Sequence, residues 1–196
     1  MNKLLELDRE AFLALNGLHA EWLDQPMYLF SDTLLWSPLY LLLLYFIIKE
    51  YKGESWIILI GIIVMITLSD QVTTSLMKPY FARLRPTHDP SLRDLVHIVN
   101  GYRGRSFGFA SSHAANTFGV AMFFYLLFRE SRKGIFILFA WAAFVSYTRI
   151  YLGVHFPGDI IVGAIVGTLF AMLLFKITML CLEKWRSKPL SKSSGL

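Results

Sequence analysis

The stretch 160–182 reads IIVGAIVGTLFAMLLFKITMLCL and contains a single charged residue, Lys176. A helix needs about 20 apolar residues to cross the hydrocarbon core of a bilayer, so this stretch predicts a transmembrane helix. Four further apolar runs are of similar length or somewhat shorter: 29–48, 56–77, 114–128 and 135–153. The sequence therefore predicts an all-α fold, a polytopic membrane helical bundle with about five transmembrane helices.

Composition also indicates a membrane protein. Of the 196 residues, 55% are hydrophobic and 17% charged, with a mean hydropathy of +0.50, which is too apolar for a soluble domain of this size. The net charge of +5 does not indicate nucleic-acid binding, because nine of the nineteen Lys and Arg residues lie between apolar runs or in the tail. A single cysteine, Cys181, excludes an internal disulfide and a Cys-rich metal site. We predict one membrane-embedded domain over 1–196.

Residues 1–27 differ from the apolar runs. Apolar side chains such as Phe12 and Trp22 recur at helical spacing with acidic residues such as Asp8 between them, which is typical of an amphipathic helix at a membrane interface. We predict one helix over about 7–24 within this interfacial segment. The segment lacks the basic start and long apolar core of a cleaved signal peptide, so we expect it to be retained.

Positive charge predicts the orientation of the helices. If five helices alternate, one membrane side receives 49–55, 129–134 and the tail 183–196, which hold nine Lys and Arg between them. We assign that side to the cytoplasm. The extracytoplasmic side then holds the N-terminal segment, the turn 153–159 and the polar segment 78–113, whose basic residues we assign to a ligand.

The first polar cluster, KPYFARLRP at 78–86, follows the second apolar run. Lys78 can supply a point charge and Arg85 a planar fork of donors, and both suit a phosphate dianion. The alternative is that these are interfacial cations attracted to anionic lipid headgroups.

The second cluster is Ala110, Ser111, Ser112 and His113, where a glycine-containing stretch meets an apolar run. Serine before a helix caps it, and the free backbone N–H groups at a helix start attract anions, so Ser111 and Ser112 can serve as caps and phosphate ligands. A lone histidine at a helix start is more often structural, so His113 needs support from other residues.

The third cluster is TRIYLGVHFPGD at 148–159, between two apolar runs. Pro157 suits the first turn of a helix, which would bring His155 and Asp159 together. A carboxylate that accepts one imidazole N–H fixes the tautomer and leaves the other nitrogen free to attack. The alternative is a helix cap beside an interfacial histidine, but Arg149, His155 and Asp159 in so apolar a chain favour function.

These clusters together resemble the signature of the phosphatidic acid phosphatase type 2 superfamily, the membrane relatives of the vanadium haloperoxidases. The resemblance covers residues 78–159 and rests on the spacing within and order of the three clusters. Three positions depart from the family pattern: Ala110 and Ser112 replace a Pro and a Gly, and Thr148 replaces a Ser. Thr148 keeps a hydroxyl and Ser112 keeps its backbone N–H, so we expect a phosphate site of altered shape.

The resemblance implies a mechanism and a role for each residue. His155 would attack phosphorus, Asp159 would hold its ring, and His113 would protonate the leaving oxygen and then activate water. The phosphate oxygens would be bound by Lys78, Arg85, Ser111, Arg149 and the amide of Ser112. No cofactor is expected and no metal, since Asp89 and Asp94 lack carboxylate partners at ligand spacing.

Other polar residues and the glycine pair of the last helix carry weaker predictions. We expect Arg83 and Arg105 to be structural or to touch the substrate headgroup, Asp70 to pair with a neighbouring base, and His88 and His97 to be loop residues. Gly163 and Gly167 form a GxxxG pattern that permits close packing within the bundle.

A site at the membrane interface and no soluble domain favour a substrate held in the bilayer. The leading substrates are undecaprenyl diphosphate and a lipid A phosphate, and the alternatives are phosphatidylglycerol phosphate and phosphatidic acid. We predict a multi-pass protein of the bacterial inner membrane with its site facing the periplasm, and the oligomeric state stays open. Three other classes compete: an anion- or proton-coupled transporter, a non-catalytic scaffold, and a haloperoxidase, which a chain this apolar does not favour.

Overall fold

The computed structural model describes residues 2–187. Within that range the chain forms α-helices and short helical turns and no β-strand. The predicted all-α fold is confirmed. The helices are α1 (Asn2–Asn16), α2 (Glu21–Phe30), α3 (Ser37–Tyr51), α4 (Ser55–Gln71), α5 (Lys78–Phe81), α6 (Ser112–Phe128), α7 (Ile137–Tyr151) and α8 (Pro157–Arg186).

Three helical stretches are long and apolar enough to cross a membrane: Thr33–Phe81, Lys133–Tyr151 and Pro157–Arg186. The first of these turns at Lys52, whose φ is 48°, and so contains both α3 and α4. Helix α6 is apolar but shorter. Five apolar helices therefore overlap the predicted runs, although the first run, 29–48, is divided between the end of α2 and α3, which begins at Ser37. The number that span the bilayer stays a prediction.

In the N-terminal segment the predicted single helix is wrong. The structure has two helices, α1 and α2, separated by residues 17–20, instead of one helix over 7–24. The Asn16 side chain donates to the carbonyl oxygens of Ile150 and Tyr151, at 3.1 and 2.9 Å, and accepts from the N–H of His97 at 2.8 Å. These long-range bonds fix the end of α1, and periodicity could not reveal them.

Helix α6 lies at the centre of the bundle and packs against α4, α7 and α8. Two glycines of α8 make its contact with α6 possible. A Cβ on Gly163 would stand 2.3 Å from the carbonyl oxygen of Ser111, and one on Gly167 would stand 1.8 Å from that of Ala115. The GxxxG pattern therefore serves packing within the bundle, as predicted.

The polar segments gather at the two ends of the bundle as predicted. At one end, Arg186 of α8 binds Glu54 at 2.5 Å and Arg132 lies 3.9 Å from Glu50. At the other end, the N-terminal helix binds segment 78–113 through Arg9 and Asp89, 2.5 Å apart. Residues 188–196 of the predicted cytoplasmic tail lie outside the described residues.

Helix α4 does not end regularly. Residues Val72–Met77 form a π-helical turn that leads directly into α5. Thr74 lies in that turn and Lys78 follows it, and both face the start of α6, where they reach Ser112. A π turn is rare and often marks a functional site.

Candidate active site

A cavity of about 870 Å³ opens among the helices at the end of the bundle that carries segment 78–113. Six of the predicted site residues line it. Its wall then continues along α3, α4 and α6 with apolar side chains, among them Ile47, Leu59 and Phe124. The six site residues are Lys78, Arg85, Ser112, His113, Arg149 and His155.

His155 and Asp159 form a buried pair. Nδ1 of His155 lies 3.2 Å from Oδ2 of Asp159, and the same oxygen accepts the N–H of Phe156 at 3.1 Å. The carboxylate therefore places the imidazole proton on Nδ1, since it can only accept. The lone pair of Nε2 remains on the side of the ring toward Arg85, whose guanidinium lies 3.3 Å away.

The surroundings of His155 favour the neutral imidazole. The side chain is almost fully buried. Burial, together with the positive charges of Arg85 and Arg149, holds the pKa of His155 well below its usual range. At neutral pH the ring is therefore uncharged, which is the form that can act as a nucleophile.

Arg85 is held by the loop on both sides of it. Its backbone N–H donates to the carbonyl of Ser106 at 3.0 Å, next to an isolated antiparallel bridge between Leu84 and Phe107. Its side chain donates to the carbonyl oxygens of Phe107 and Val154, at 3.2 and 3.1 Å. Burial lowers the pKa of Arg85 to about 10, so the guanidinium stays charged at neutral pH.

Gly108 allows the loop to approach this pair. A Cβ there would lie 3.0 Å from Oδ2 of Asp159, 3.2 Å from Cγ of Arg85 and 3.5 Å from Nδ1 of His155. The backbone N–H of Gly108 is bound to the carbonyl of Arg83 at 2.9 Å, which leaves little room for the loop to withdraw. A larger residue at position 108 would therefore have to displace Asp159 or Arg85.

Lys78 reaches the start of α6. Its ammonium donates to the hydroxyl of Ser112 at 2.7 Å and to that of Thr74 at 3.3 Å. These two hydroxyls are themselves 2.9 Å apart. The ammonium is thus fixed by neutral partners, which leaves its charge available to an anion.

Ser111 and Ser112 have different positions. The hydroxyl of Ser111 caps α6 by accepting the N–H of Ala114, and its carbonyl accepts that of Ala115. Ser111 does not line the cavity, so a phosphate contact of its hydroxyl stays a prediction. The N–H groups of Ser112 and His113 remain as the helix-start donors suited to an anion.

Arg149 is oriented by two residues that the sequence did not single out. One terminal nitrogen donates to the hydroxyl of Ser31, which ends α2, and the other donates to that of Tyr102 at 3.0 Å. Its Nε is buried and has no hydrogen-bond partner among the described residues. That N–H is a donor in need of an acceptor, which a phosphate oxygen can supply.

His113 lines the same cavity as His155. It belongs to the first turn of α6, and its carbonyl accepts the hydroxyl of Thr117 at 2.8 Å. The three sequence clusters thus converge on one cavity from α5, α6 and the turn before α8. Within residues 2–187, no group of three or more His, Cys, Asp or Glu side chains is arranged to hold a metal ion.

The weaker predictions have mixed outcomes. Arg83 is structural, since it binds Asp159 at 2.9 Å and Asp8 at 2.6 Å. Asp70 lines the cavity and accepts from the hydroxyl of Thr74 at 3.4 Å; the predicted pairing with a base is wrong, because no Lys, Arg or His of the described chain forms an ion pair with it. Arg105 lines the cavity. Two histidines contact neighbouring side chains: Nδ1 of His88 lies 3.2 Å from the hydroxyl of Thr87, and Nε2 of His97 lies 2.8 Å from Oδ1 of Asp24.

The sequence pattern of the PAP2 superfamily matches residues 56–182. The chain belongs to the PAP2 superfamily. It is 41% identical over 181 residues to a lipid A 4'-phosphatase from Bacteroides thetaiotaomicron, which covers 89% of this chain and 80% of that protein. It is 34% identical to a lipid A 4'-phosphatase from Porphyromonas gingivalis, over 94% of this chain and 78% of that protein.

A solved structure of this superfamily supports the same conclusion. The crystal structure of LpxE from Aquifex aeolicus superimposes with a TM-score of 0.62 at 27% identity, over 87% of this chain and 95% of that one. The family match, these relatives and the apolar helices together show that the chain is a membrane-bound lipid phosphatase of bacterial type. It is therefore a phosphoric monoester hydrolase.

Proposed function

We propose that the protein removes the phosphate from a lipid A type saccharolipid through a phosphohistidine intermediate on His155. One observation carries the proposal. The cavity that holds both imidazoles and four cations continues without interruption into an apolar wall, so a phosphate and a lipid chain can occupy it together. The relatives named as lipid A 4'-phosphatases support this choice of lipid.

The first step is attack on phosphorus. The lone pair of Nε2 on His155 forms the N–P bond while the bond from phosphorus to the lipid oxygen breaks. His113, protonated once the bound phosphate dianion offsets the neighbouring cations, gives its proton to the departing oxygen, so the lipid leaves as a neutral alcohol. Asp159 accepts Nδ1–H throughout and offsets the positive charge that develops on the phosphorylated ring.

The second step is hydrolysis. His113, now neutral, takes a proton from water as the water oxygen attacks phosphorus and the N–P bond breaks. Inorganic phosphate is released, and His155 returns to its neutral form. Lys78, Arg85 and Arg149 face the nonbridging oxygens in both steps, where fixed positive charge stabilises the transition state most.

The shape of the cavity fits a lipid. Phe124 lines it about 18 Å further along α6 than Ser112, at 1.5 Å per residue. That depth, inside a helix that lies among other apolar helices, accommodates hydrocarbon chains attached to the phosphorylated headgroup. A soluble phosphate ester would fill only the polar end.

The wall one turn below the phosphate-binding residues favours a sugar headgroup. Thr74 and Ser112 are in contact, and one turn deeper α4 carries Asp70 and α6 carries Asn116, which both line the cavity. The Oδ1 of Asn116 is buried without a partner among the described residues. Two acceptors at this depth suit the hydroxyl and amide N–H groups of a glycolipid, which an isoprenoid phosphate does not carry.

The location of the site belongs to the same proposal. Segments 49–55 and 129–134 lie at the end of the bundle opposite the polar part of the cavity and carry five Lys and Arg. The positive-inside rule assigns that end to the cytoplasm, so the cavity would open toward the periplasm.

The direct test offers purified protein in detergent a panel of lipid A, undecaprenyl diphosphate, phosphatidic acid and a soluble phosphate ester, with and without chelator. We expect lipid A to be turned over with the highest kcat/KM and chelator to have no effect. Equal turnover of the soluble ester would contradict the lipid assignment. Radioactive phosphate trapped in acid-quenched wild-type protein but not in His155→Ala would support the intermediate, and equal labelling would contradict it.

A further inference from the structure

A carboxylate from the N-terminal helix is connected to the predicted nucleophile. Oδ2 of Asp8 accepts from one terminal nitrogen of Arg83 at 2.6 Å, and the other terminal nitrogen donates to Oδ1 of Asp159 at 2.9 Å. Oδ2 of Asp159 then meets Nδ1 of His155 at 3.2 Å. Four side chains from three parts of the chain thus form one continuous series of contacts.

The members of this series are shielded from water. The exposed fraction of the side chain is 13% for Asp8, 20% for Arg83, 0% for Asp159 and 2% for His155. The guanidinium of Arg83 also lies over the ring of Phe156, 4.1 Å from its centre. In such surroundings the arrangement of charges matters far more than it does at a surface.

Charge balance gives Asp8 a definite role. Arg83 lies between two carboxylates, so Asp8 offsets its charge and Asp159 retains negative charge for His155. Without Asp8, the whole positive charge of Arg83 would act on Asp159. That carboxylate would then accept Nδ1–H less strongly and would offset less of the charge that forms on the ring during attack.

Asp8 also holds the turn that carries both residues. Its Oδ1 accepts the backbone N–H of Gly158 at 2.7 Å, at the first turn of α8. A Cβ on Gly158 would lie 2.8 Å from Oδ2 of Asp8, so only glycine permits this approach. The N-terminus of α8, which follows His155 and contains Asp159, is thereby fixed to α1.

We propose that Asp8 is a positioning residue for phosphoryl transfer, which acts through Arg83 and Asp159 to orient His155 and balance its charge. This inference rests on the proposed function of His155. It gives the N-terminal helix a part in the reaction, in addition to its predicted place at the membrane interface.

Rapid-quench measurement of phosphoenzyme formation tests the inference, with lipid A as substrate for wild type and three variants. Asp8→Asn keeps an acceptor for Gly158 but loses the ion pair with Arg83, and Gly158→Ala displaces the carboxylate without changing any charge. For both we expect formation of the phosphoenzyme and kcat to fall roughly 10- to 100-fold with KM changed less than about threefold, the range expected for a misplaced reacting group. Asp8→Glu should recover part of the rate.

The matched control is Arg9→Gln. Arg9 follows Asp8 in the same helix and binds Asp89 of the same segment at 2.5 Å, but this ion pair does not lead to His155. If Asp8 only anchored α1, Arg9→Gln and Asp8→Asn would lower activity and Tm to the same extent, and that result would overturn the inference. An unchanged rate in Asp8→Asn would also overturn it. If wild type itself trapped no phosphate, the proposed mechanism would be at fault, whereas rapid labelling of both wild type and Asp8→Asn would reject the inference alone.

Discussion

Arg85 donates one guanidinium N–H toward Nε2 of His155 across 3.3 Å while the same nitrogen is bound to the carbonyl of Val154. The cation is therefore aimed at the nitrogen that would attack phosphorus, and at the oxygens of a phosphate placed there. The position of Arg85 depends on its planar guanidinium group, which can donate to several acceptors at once.

Arg85→Lys should therefore cost activity although it keeps the charge. A lysine ammonium cannot reproduce the bonds to Phe107 and Val154 together with a contact to phosphate. We expect kcat/KM on lipid A to fall roughly 100-fold. Arg93→Lys, at an exposed position of the same segment, is the control and should match wild type. Unchanged activity in Arg85→Lys would show that only charge is needed.

Gly108→Ala should lower activity without unfolding the protein. The added Cβ would lie 3.0 Å from Oδ2 of Asp159 and so would push the carboxylate away from His155. We expect kcat to fall roughly 10- to 100-fold, with a Tm close to that of wild type. Gly134→Ala has open space around the added Cβ and should behave as wild type. A Gly108→Ala enzyme of full activity would mean that the Asp159–His155 contact is dispensable.

The free energy of unfolding should fall on the acid side because of His155. Burial and nearby cations lower the pKa of His155 in the folded protein, whereas the unfolded chain has the ordinary value of about 6.5. Below about pH 6.5 the unfolded state binds a proton that the folded state does not, so stability drops from there toward the lowered pKa.

The measurement is the Tm in detergent at about pH 7 and about pH 5. The drop should be smaller in His155→Gln than in wild type, since the variant lacks the titrating group. His19→Gln, at an exposed position, should keep the drop of wild type. Identical drops in all three proteins would exclude a buried neutral imidazole at position 155.

Asn116 and Asp70 should decide which lipid is preferred. We expect Asn116→Leu and Asp70→Leu to lower kcat/KM for lipid A about tenfold, the cost of about one lost hydrogen bond to a buried group. Phosphatidic acid and undecaprenyl diphosphate should lose less, because they offer no donor at that depth. Ser75→Ala, on the exposed side of the same helical segment, is the control. Equal losses on all lipids would assign the two residues to folding.

The direction of the chain in the membrane can be tested with cysteine labelling in a Cys181→Ser background, since Cys181 is free and exposed. Asp94 and Lys133 are exposed at opposite ends of the bundle. In intact spheroplasts an impermeant maleimide should label Asp94→Cys but not Lys133→Cys, and lysis should expose both. The reverse pattern would place the cavity in the cytoplasm.

The sequence predicted the parts of the site that follow local rules. A helix start shows itself through Ser111 and Pro157, and the short spacing from His155 to Asp159 already implies contact across that start. The partners that complete the site come from distant parts of the chain. Ser31, Tyr102 and Asp8 reach Arg149 and Arg83 only because α1, α2 and segment 78–113 fold over one end of the bundle.

Several contacts of the site could not be predicted because the residues that form them fit ordinary sequence patterns. Asp8 fits the polar face of an amphipathic helix as well as any other acidic residue there, so the sequence pattern does not indicate its ion pair with Arg83. Ser31 and Tyr102 resemble ordinary residues of a helix end and a loop. The break after Asn16 depends on hydrogen bonds to carbonyl groups more than a hundred residues away, and hydrophobic periodicity cannot predict such bonds.

The π turn at Val72–Met77 sets the angular position of everything that follows it. A helix advances by about 100° per residue, and a π turn accommodates one residue more than the α-helix would. Loss of a single residue there would leave the apolar half of α4 in place but rotate Lys78 out of line with Ser112. The alignment of Lys78 with the apolar part of α4 thus depends on the number of residues in the turn. Substitutions alone cannot restore that alignment once a residue has been lost.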